Sequence, residues 1–140
     1  EEYMTEDAEV VLVGQGTLAM PAKVTVRKLR EQGKKVGFVR LKWLRPFPTE
    51  EIQDSLKKFK VVGVIDRDYS YGSPHSGGVL YNEFRSALYD LTQRPLVQNF
   101  ICGLGGREVT IDGITEMVDI MLKTAKVGKV DQHVSWIGVR

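Results

Sequence analysis

The sequence has very few residues of the kinds that build reaction centres. It contains one cysteine, Cys102, and two histidines, His75 and His133, in 140 residues. An internal disulfide is therefore impossible, and we expect a reducing compartment, the cytoplasm. There is also no CxxC, no HExxH, no GxxxxGK[ST] phosphate loop and no serine–histidine–aspartate arrangement. These absences predict a domain without a complete catalytic or redox centre, which works as one part of a larger enzyme.

Long apolar runs are absent as well. No stretch approaches the ~18 residues that a membrane-spanning helix needs, so we expect no membrane location. The first residues include Glu1, Glu2, Glu6 and Asp7, whereas a signal peptide begins with basic and then apolar residues. Because the sequence opens at Glu1 rather than at methionine, we expect a fragment, a processed chain or a domain of a longer protein.

Charge is nearly balanced overall but uneven along the chain. The net charge is +2, and no recognition motif is present, so we do not expect a nucleic-acid-binding protein. Between positions 23 and 60, however, twelve residues are basic and four are acidic. This stretch fits a docking face for an acidic partner or a phosphate. It also fits solvated helix faces and strand ends, which are the more frequent origin of such a pattern.

The sequence does contain a regular alternation of strand and helix patterns. Apolar, β-branched runs predict four strands at 9–13, 35–41, 61–65 and 96–101. Apolar residues at helical spacing predict helices between and after them, and residues 134–139 are a further strand or packed segment. We therefore predict one α/β domain over 1–140, a sheet with helices on both faces. The predicted helices lie at 16–32, 50–58, 80–91 and around 114–121.

The loop after the first strand reads Gly14-Gln15-Gly16-Thr17-Leu18-Ala19. This is a G-x-G-x-x-A pattern between a strand and a helix, as in dinucleotide-binding domains. The acidic residue that should follow about twenty positions later is missing, and the second strand ends at Arg40-Leu41-Lys42 instead. A basic residue there suits the 2′-phosphate of NADP, so an NADP-binding Rossmann-type module is the alternative hypothesis. A tight turn that enters a helix is the simpler interpretation.

Three charged residues, Asp66, Arg67 and Asp68, follow the third strand. One interpretation is an ionic cluster that contacts a neighbouring domain at the carboxyl edge of the sheet. The other is a pair of carboxylates for acid–base or metal chemistry. The metal interpretation lacks a third ligand, because the nearest histidine, His75, is seven residues further along. The structural cluster is therefore preferred.

A glycine-rich segment follows the fourth strand. Gly103, Gly105 and Gly106 permit unusual backbone angles or close contacts, and Arg107 can bind a carboxylate or phosphate with two hydrogen bonds. Cys102 has no base near it in sequence, so we predict a buried thiol rather than a nucleophile. A regulatory ligand site at the glycine loops stays open.

Several segments together resemble one family. The chain is similar to the C-terminal portion of the alpha chain of 2-oxoacid:ferredoxin oxidoreductases, most of all the pyruvate enzymes (pyruvate synthase). The resemblance covers nearly the whole chain, and residues 136–140 resemble the natural end of such a chain. One departure is Glu108, where the family usually has aspartate after the arginine. The segments that carry the resemblance are 7–14, 29–37, 44–48, 65–68 with the Tyr-Gly-Ser loop at 71–73, 99–101 and 103–107. The Asp-Arg-Asp segment at 66–68 and the Gly-Leu-Gly-Gly-Arg segment at 103–107 are the most specific of them.

The resemblance implies a fold for this domain and places the cofactors of the enzyme in its other parts. The domain would be three-layered like the C-terminal domain of transketolases, with a mixed, mostly parallel five-stranded sheet. The whole enzyme would use thiamine diphosphate, Mg²⁺ and [4Fe–4S] clusters held elsewhere, and would pass electrons to ferredoxin and form an acyl-CoA. This domain would have no catalytic or metal-binding residues and would serve assembly. The expected contacts with other domains or subunits are Asp66, Arg67, Asp68, Gly103, Gly105, Gly106 and Arg107.

Overall fold

Six strands form a single sheet at the centre of the molecule. The structure is a computed structural model and describes residues 1–139. Arg140, the last residue of the segment that resembles the natural end of the chain, lies outside the described residues. The strands are β1 (Glu2–Tyr3), β2 (Val10–Gln15), β3 (Val36–Leu41), β4 (Val61–Asp66), β5 (Leu96–Ile101) and β6 (Val134–Trp136).

The sheet is mostly parallel, as predicted, but it has six strands rather than five. Its order is β1-β3-β2-β4-β5-β6, and the last five strands of that order are parallel to their neighbours. The additional strand is β1, in which Glu2 and Tyr3 pair antiparallel with Val39 and Phe38. A strand of two residues is too short to show an alternating pattern, so no periodicity could reveal it.

Within residues 1–139, four α-helices cover the sheet on both faces and confirm the three-layer prediction. One buried cluster joins α1 and α4 to one face of the sheet, and a second cluster joins α2 and α3 to the other. Among residues 1–139, no helix combines the length and apolar character that a bilayer crossing requires. The helices are α1 (Ala19–Glu31), α2 (Thr49–Leu56), α3 (Val79–Leu88) and α4 (Ile111–Val127).

The central strand β2 is apolar at successive positions because both of its faces are covered. Val10 and Leu12 pack toward α1 and α4, whereas Val11 and Val13 pack toward α2 and α3. Adjacent side chains of a strand point to opposite faces, so a strand covered on both sides reads as a continuous apolar run. This is why the run at 9–13 is recognisable in the sequence.

The order of the strands places a switch point beside β2. The chain passes from β2 through α1 to β3 on one side, and β4 lies on the other side of β2. In open α/β sheets, ligands and partners meet the carboxyl ends of the strands at such a point. Asp66 ends β4 at this edge, and the loop at 102–110 follows β5 at the same edge.

Candidate interface at the carboxyl edge of the sheet

Asp66 lies at the carboxyl end of β4, and its side chain points into the protein. The residue is 2% exposed. Its Oδ1 accepts a hydrogen bond from the backbone N–H of Leu80 at 3.0 Å, and its Oδ2 accepts one from Tyr81 at 3.0 Å. The Oδ2 atom also accepts from the Asn99 side-chain amide at 2.9 Å. The carboxylate therefore joins two strands to the start of α3.

Two further side chains complete the N-terminus of α3. The backbone N–H of Gly78 donates to Asn99 Oδ1 at 2.9 Å, and the N–H of Val79 donates to Asp68 Oδ1 at 2.7 Å. The first four N–H groups of a helix have no partner within the helix. In α3 these four groups, from residues 78 to 81, all bind side chains: Asp66 at the end of β4, Asp68 just after it, and Asn99 within β5. Negative charge at this position also complements the helix dipole.

Gly78 is required by this arrangement. A Cβ atom at position 78 would overlap the carboxyl group of Asp66. The backbone at Gly78 therefore approaches Asp66 more closely than any residue with a side chain permits. The Gly77-Gly78 pair in the sequence is explained by this packing.

The environment of Asp66 changes its acidity. Burial raises the pKa of its carboxyl to about 6, and the nearby charge of Asp68 adds to the increase. The hydrogen bonds from Tyr81, Leu80 and Asn99 favour the charged form and oppose the increase. A carboxyl held in this way titrates well above its ordinary value of 3.8.

The predicted ionic cluster is thereby divided between the interior and the surface. Asp66 was expected to contact another domain, but its buried oxygens are occupied by donors of the same chain. Asp68 is half-buried and also binds α3. Arg67 points outward and is exposed. This difference arises where the strand ends, since Asp66 is the last residue of β4 and Arg67 is the first residue outside it.

The structure brings Arg67 together with the glycine segment after β5. Arg67 Nη2 donates to the carbonyl of Gly103 at 3.3 Å. Gly103 has φ +69°, and a Cβ there would lie 2.9 Å from Arg67 Nε, so a glycine is needed for both its backbone angle and its close contact. Gly105, Gly106 and Arg107 are exposed beside it. Their contact with another domain stays a prediction.

Three aromatic residues form a patch at this edge that sequence periodicity did not indicate. The ring centroids of Tyr69 and Trp136 are 5.2 Å apart, and those of Tyr69 and Tyr71 are 6.2 Å apart. Tyr69 is 39% exposed, Trp136 41% and Tyr71 92%. We call Tyr69, Tyr71 and Trp136 the aromatic patch. Only tertiary structure unites them, because Trp136 belongs to β6.

Cys102 is the buried thiol that the sequence predicts. It lies directly after β5 and is 4% exposed. Burial raises the pKa of the thiol to about 11, so it is protonated near neutral pH. A protonated thiol is a poor nucleophile, and this residue serves packing.

The two histidines contact each other, which their positions in the sequence did not indicate. The rings of His75 and His133 are stacked with centroids 4.0 Å apart. Tyr81 Oη lies 3.5 Å from His133 Nδ1. Burial lowers the pKa of His133, and the neighbouring His75 and Arg85 lower it further.

Among residues 1–139, no group of three or more His, Cys, Asp or Glu side chains could hold a metal ion.

The basic stretch at 23–60 is largely neutralised within the chain. Nine of its twelve basic residues pair with carboxylates, and these are the nine ion pairs of the described residues. Arg40 and Lys42, the candidates for an NADP phosphate, both pair with Glu1, at 3.8 and 3.2 Å. The stretch therefore fits solvated, paired surface charge better than a docking face.

The unusual acidity of Asp66 leads to a test by substitution. Because the folded protein binds the Asp66 proton more tightly than the unfolded chain does, this group's contribution to the free energy of unfolding decreases as the pH rises from about 4 to about 6. In Asp66→Asn this decrease should disappear. Urea unfolding across that pH range, followed by circular dichroism, measures the difference between the two proteins.

Asp68→Asn is the matched control, since it removes a carboxylate from the same turn. It should keep most of the decrease, because burial is the larger cause of the raised pKa, while loss of the Asp68 charge makes the decrease somewhat smaller. If the free energy of unfolding changed with pH in the same way in the native protein and in Asp66→Asn, the raised pKa of Asp66 would be contradicted. A ¹³C titration of the Asp66 carboxyl should give its midpoint directly, near 6.

Comparison with known proteins identifies relatives of this chain. The family model described as pyruvate:ferredoxin oxidoreductase core domain II matches residues 8–114. Ketoisovalerate oxidoreductase subunit VorA of Pyrococcus furiosus is 41% identical over 131 residues, which cover 94% of this chain and 32% of that protein. Pyruvate synthase subunit PorA of Pyrococcus abyssi is 41% identical over 140 residues, which cover 100% and 35%. The chain thus spans about a third of the length of these relatives.

Solved structures share the fold at low sequence identity. A 2-oxoglutarate:ferredoxin oxidoreductase from Magnetococcus marinus, solved with 2-oxoglutarate, coenzyme A and succinyl-CoA, has a TM-score of 0.59 and 18% identity. That match covers 84% of this chain and 19% of the other. A split-gene transketolase, solved as an inactive tetramer of beta chains, has a TM-score of 0.64 and 16% identity. That match covers 88% of this chain and 41% of the transketolase chain. The predicted transketolase-like fold is confirmed, and the chain belongs to the pyruvate:ferredoxin oxidoreductase core domain II family.

Proposed function

We propose that this chain is the assembly domain of a 2-oxoacid:ferredoxin oxidoreductase. The whole enzyme would oxidatively decarboxylate a 2-oxoacid such as pyruvate, form acyl-CoA and CO₂, and reduce ferredoxin in the cytoplasm. Support comes from the relatives, which are named pyruvate synthase and ketoisovalerate oxidoreductase subunits. The two kinds of relative match about equally well, so their similarity does not distinguish a short 2-oxoacid substrate from a branched one. We assign the choice of substrate to the rest of the enzyme.

The single observation that carries the proposal is the construction of the carboxyl edge. The polar residues that could do chemistry there, Asp66 and Asn99, are buried and satisfied by α3. The groups that remain outside are Arg67, Arg107, the glycines Gly105 and Gly106, and the aromatic patch. Exposed aromatic and arginine side chains are typical of the centres of protein interfaces. This edge therefore suits contact with cofactor-binding domains.

The residues of this chain do not fit the cofactors of the whole enzyme. A [4Fe–4S] cluster takes four thiolates, whereas the sequence contains one cysteine, which is buried. When bound, thiamine diphosphate supplies the carbanion-stabilising chemistry of 2-oxoacid decarboxylation. We assign that group, its Mg²⁺ and the clusters to other domains, and this domain positions and shields them by docking.

The first test is the activity of the chain by itself. The 140-residue chain should fold, with the far-UV circular dichroism of an α/β protein, and should not reduce viologen dye with pyruvate and coenzyme A. Added to the remaining parts of the enzyme, it should restore dye reduction. Measurable pyruvate-dependent reduction by the chain alone would overturn the assembly role.

The second test concerns the aromatic patch. Tyr71→Ala and Trp136→Ala should each weaken association with the remaining parts of the enzyme by about tenfold or more, as buried interface aromatics do. Val127→Ala is the matched control, since Val127 is 66% exposed and belongs to the far end of α4. Association is measured by surface plasmon resonance, and unfolding in urea verifies that each variant is folded. Unchanged association of both aromatic variants would contradict the docking assignment.

The second candidate function is an NADP-binding module, which the G-x-G-x-x-A pattern at 14–19 suggests. In the structure Gly16 opens a short 3₁₀ turn before α1, as a tight entry to a helix would. The basic residues after β3 already pair with Glu1. Calorimetric titration with NADP, NAD and coenzyme A should therefore show no tight binding of either dinucleotide. Saturable NADP binding that Gly16→Val abolishes would favour the module instead.

A further inference from the structure

A cleft of about 550 Å³ lies away from the carboxyl edge of the sheet. It is bounded by α3, by the segment 94–97 at the amino end of β5, and by residues 128–133 between α4 and β6. Its volume is in the range of sites that bind small molecules. Neither the family motifs nor the proposed docking edge includes it.

Three cationic side chains, Arg85, Arg94 and Lys129, line this cleft together with the imidazole of His133. None of them belongs to the nine ion pairs of residues 1–139, which all use basic residues of the stretch 23–60. No aspartate or glutamate lines the cleft either. Cations of one sign that share a concave surface without counter-charges attract anions.

Aromatic neighbours hold the two guanidinium groups in place. Arg85 Nη1 donates to Tyr81 Oη at 3.2 Å, and its guanidinium lies over the Tyr81 ring at 5.5 Å. Arg94 Nη1 donates to the carbonyl of Tyr89 at 3.2 Å, and its guanidinium lies over the Tyr89 ring at 5.1 Å. Each arginine has five N–H donors, so most remain free for a ligand while the side chain is already ordered.

His133 reports on the charge of the cleft. His75 stacks on its ring, and Tyr81 and Arg85 face it from α3. Asp131, two residues earlier, does not line the cleft but lines a neighbouring cavity that Lys129 also borders. Burial, His75 and Arg85 together hold the pKa of His133 below its ordinary value. An anion in the cleft would oppose the cations and raise that pKa.

We propose that this cleft binds the phosphate group of a small molecule. A phosphate carries close to two negative charges and three acceptor oxygens, which suits several cations better than one carboxylate does. Guanidinium groups bind phosphate through paired hydrogen bonds. The exposed ring of Tyr89, 70% exposed, offers an apolar surface for the remainder of the ligand.

The test uses the 140-residue chain with pyrophosphate and ADP as probes. Calorimetry should show saturable binding of both that weakens with added salt, because the contacts are ionic. A ¹H–¹⁵N NMR titration of the imidazoles should show the pKa of His133 rising when pyrophosphate is bound. Tyr89→Ala should weaken binding of ADP but not of pyrophosphate if the ring contacts the nucleoside, and equal effects would indicate a site for free phosphates.

Charge-removing variants locate the site. Arg94→Gln and Lys129→Gln should each weaken pyrophosphate binding about tenfold or more, and both residues are exposed, so folding is preserved. Arg27→Gln is the matched control, since Arg27 is exposed on α1 and belongs to none of the nine ion pairs. Absence of binding, or equal weakening in Arg27→Gln, would overturn the proposal. So would a cleft that binds an acidic peptide but neither phosphate probe.

Discussion

The hydrogen bonds from the start of α3 to Asp66 and Asn99 are the constraint on which the carboxyl edge depends. A helix that begins against a sheet brings four unpaired N–H groups into a buried place, and each would cost free energy if it stayed unpaired. Here Asp66 of β4 and Asn99 of β5 accept three of them, and Asp68, which follows β4, accepts the fourth. Asn99 also donates to the carbonyl of Val64 at 2.9 Å, so the two strands and the helix are held as one unit.

This unit determines what the edge shows to other molecules. Asp66 is turned inward at the last position of β4, and Arg67, the first residue after the strand, is exposed and contacts the carbonyl of Gly103. The loop from 69 to 78 must then return to Gly78 at the helix start, and it carries Tyr69 and Tyr71 to the surface beside Trp136. A buried polar network thus lies beneath an exposed surface of arginine and aromatic residues, which suits the proposed assembly role.

Two regions of the molecule meet at the stacked histidines. His75 belongs to the loop of the carboxyl edge, whereas His133 lines the basic cleft. The cleft and the loop of the carboxyl edge are therefore in direct contact through these two rings. Most basic residues of 23–60 form ion pairs, whereas those of the cleft belong to none of the nine ion pairs of residues 1–139. The amino-acid composition does not show this difference.

Local patterns in the sequence determined the secondary structure and the layers. Apolar runs and helical spacing depend on neighbours within a few positions, so the strands β2 to β5 and all four helices were predictable, and the family motifs agreed with them. Strand β1 was not, because two residues carry no period. The burial of Cys102 was also predictable, since a lone thiol at the end of a buried strand has an apolar environment.

Only the tertiary structure decided the roles of the charged and polar side chains. Asp66 accepts from a residue 14 positions later and from another 33 positions later, and no local pattern encodes such a pairing. The same holds for the histidine stack, the aromatic patch and the neutralisation of Arg40 and Lys42 by Glu1. The physical reason is that hydrophobic periodicity acts locally along the chain, whereas a charge or hydrogen-bonding group takes its role from whichever partner the fold brings near it.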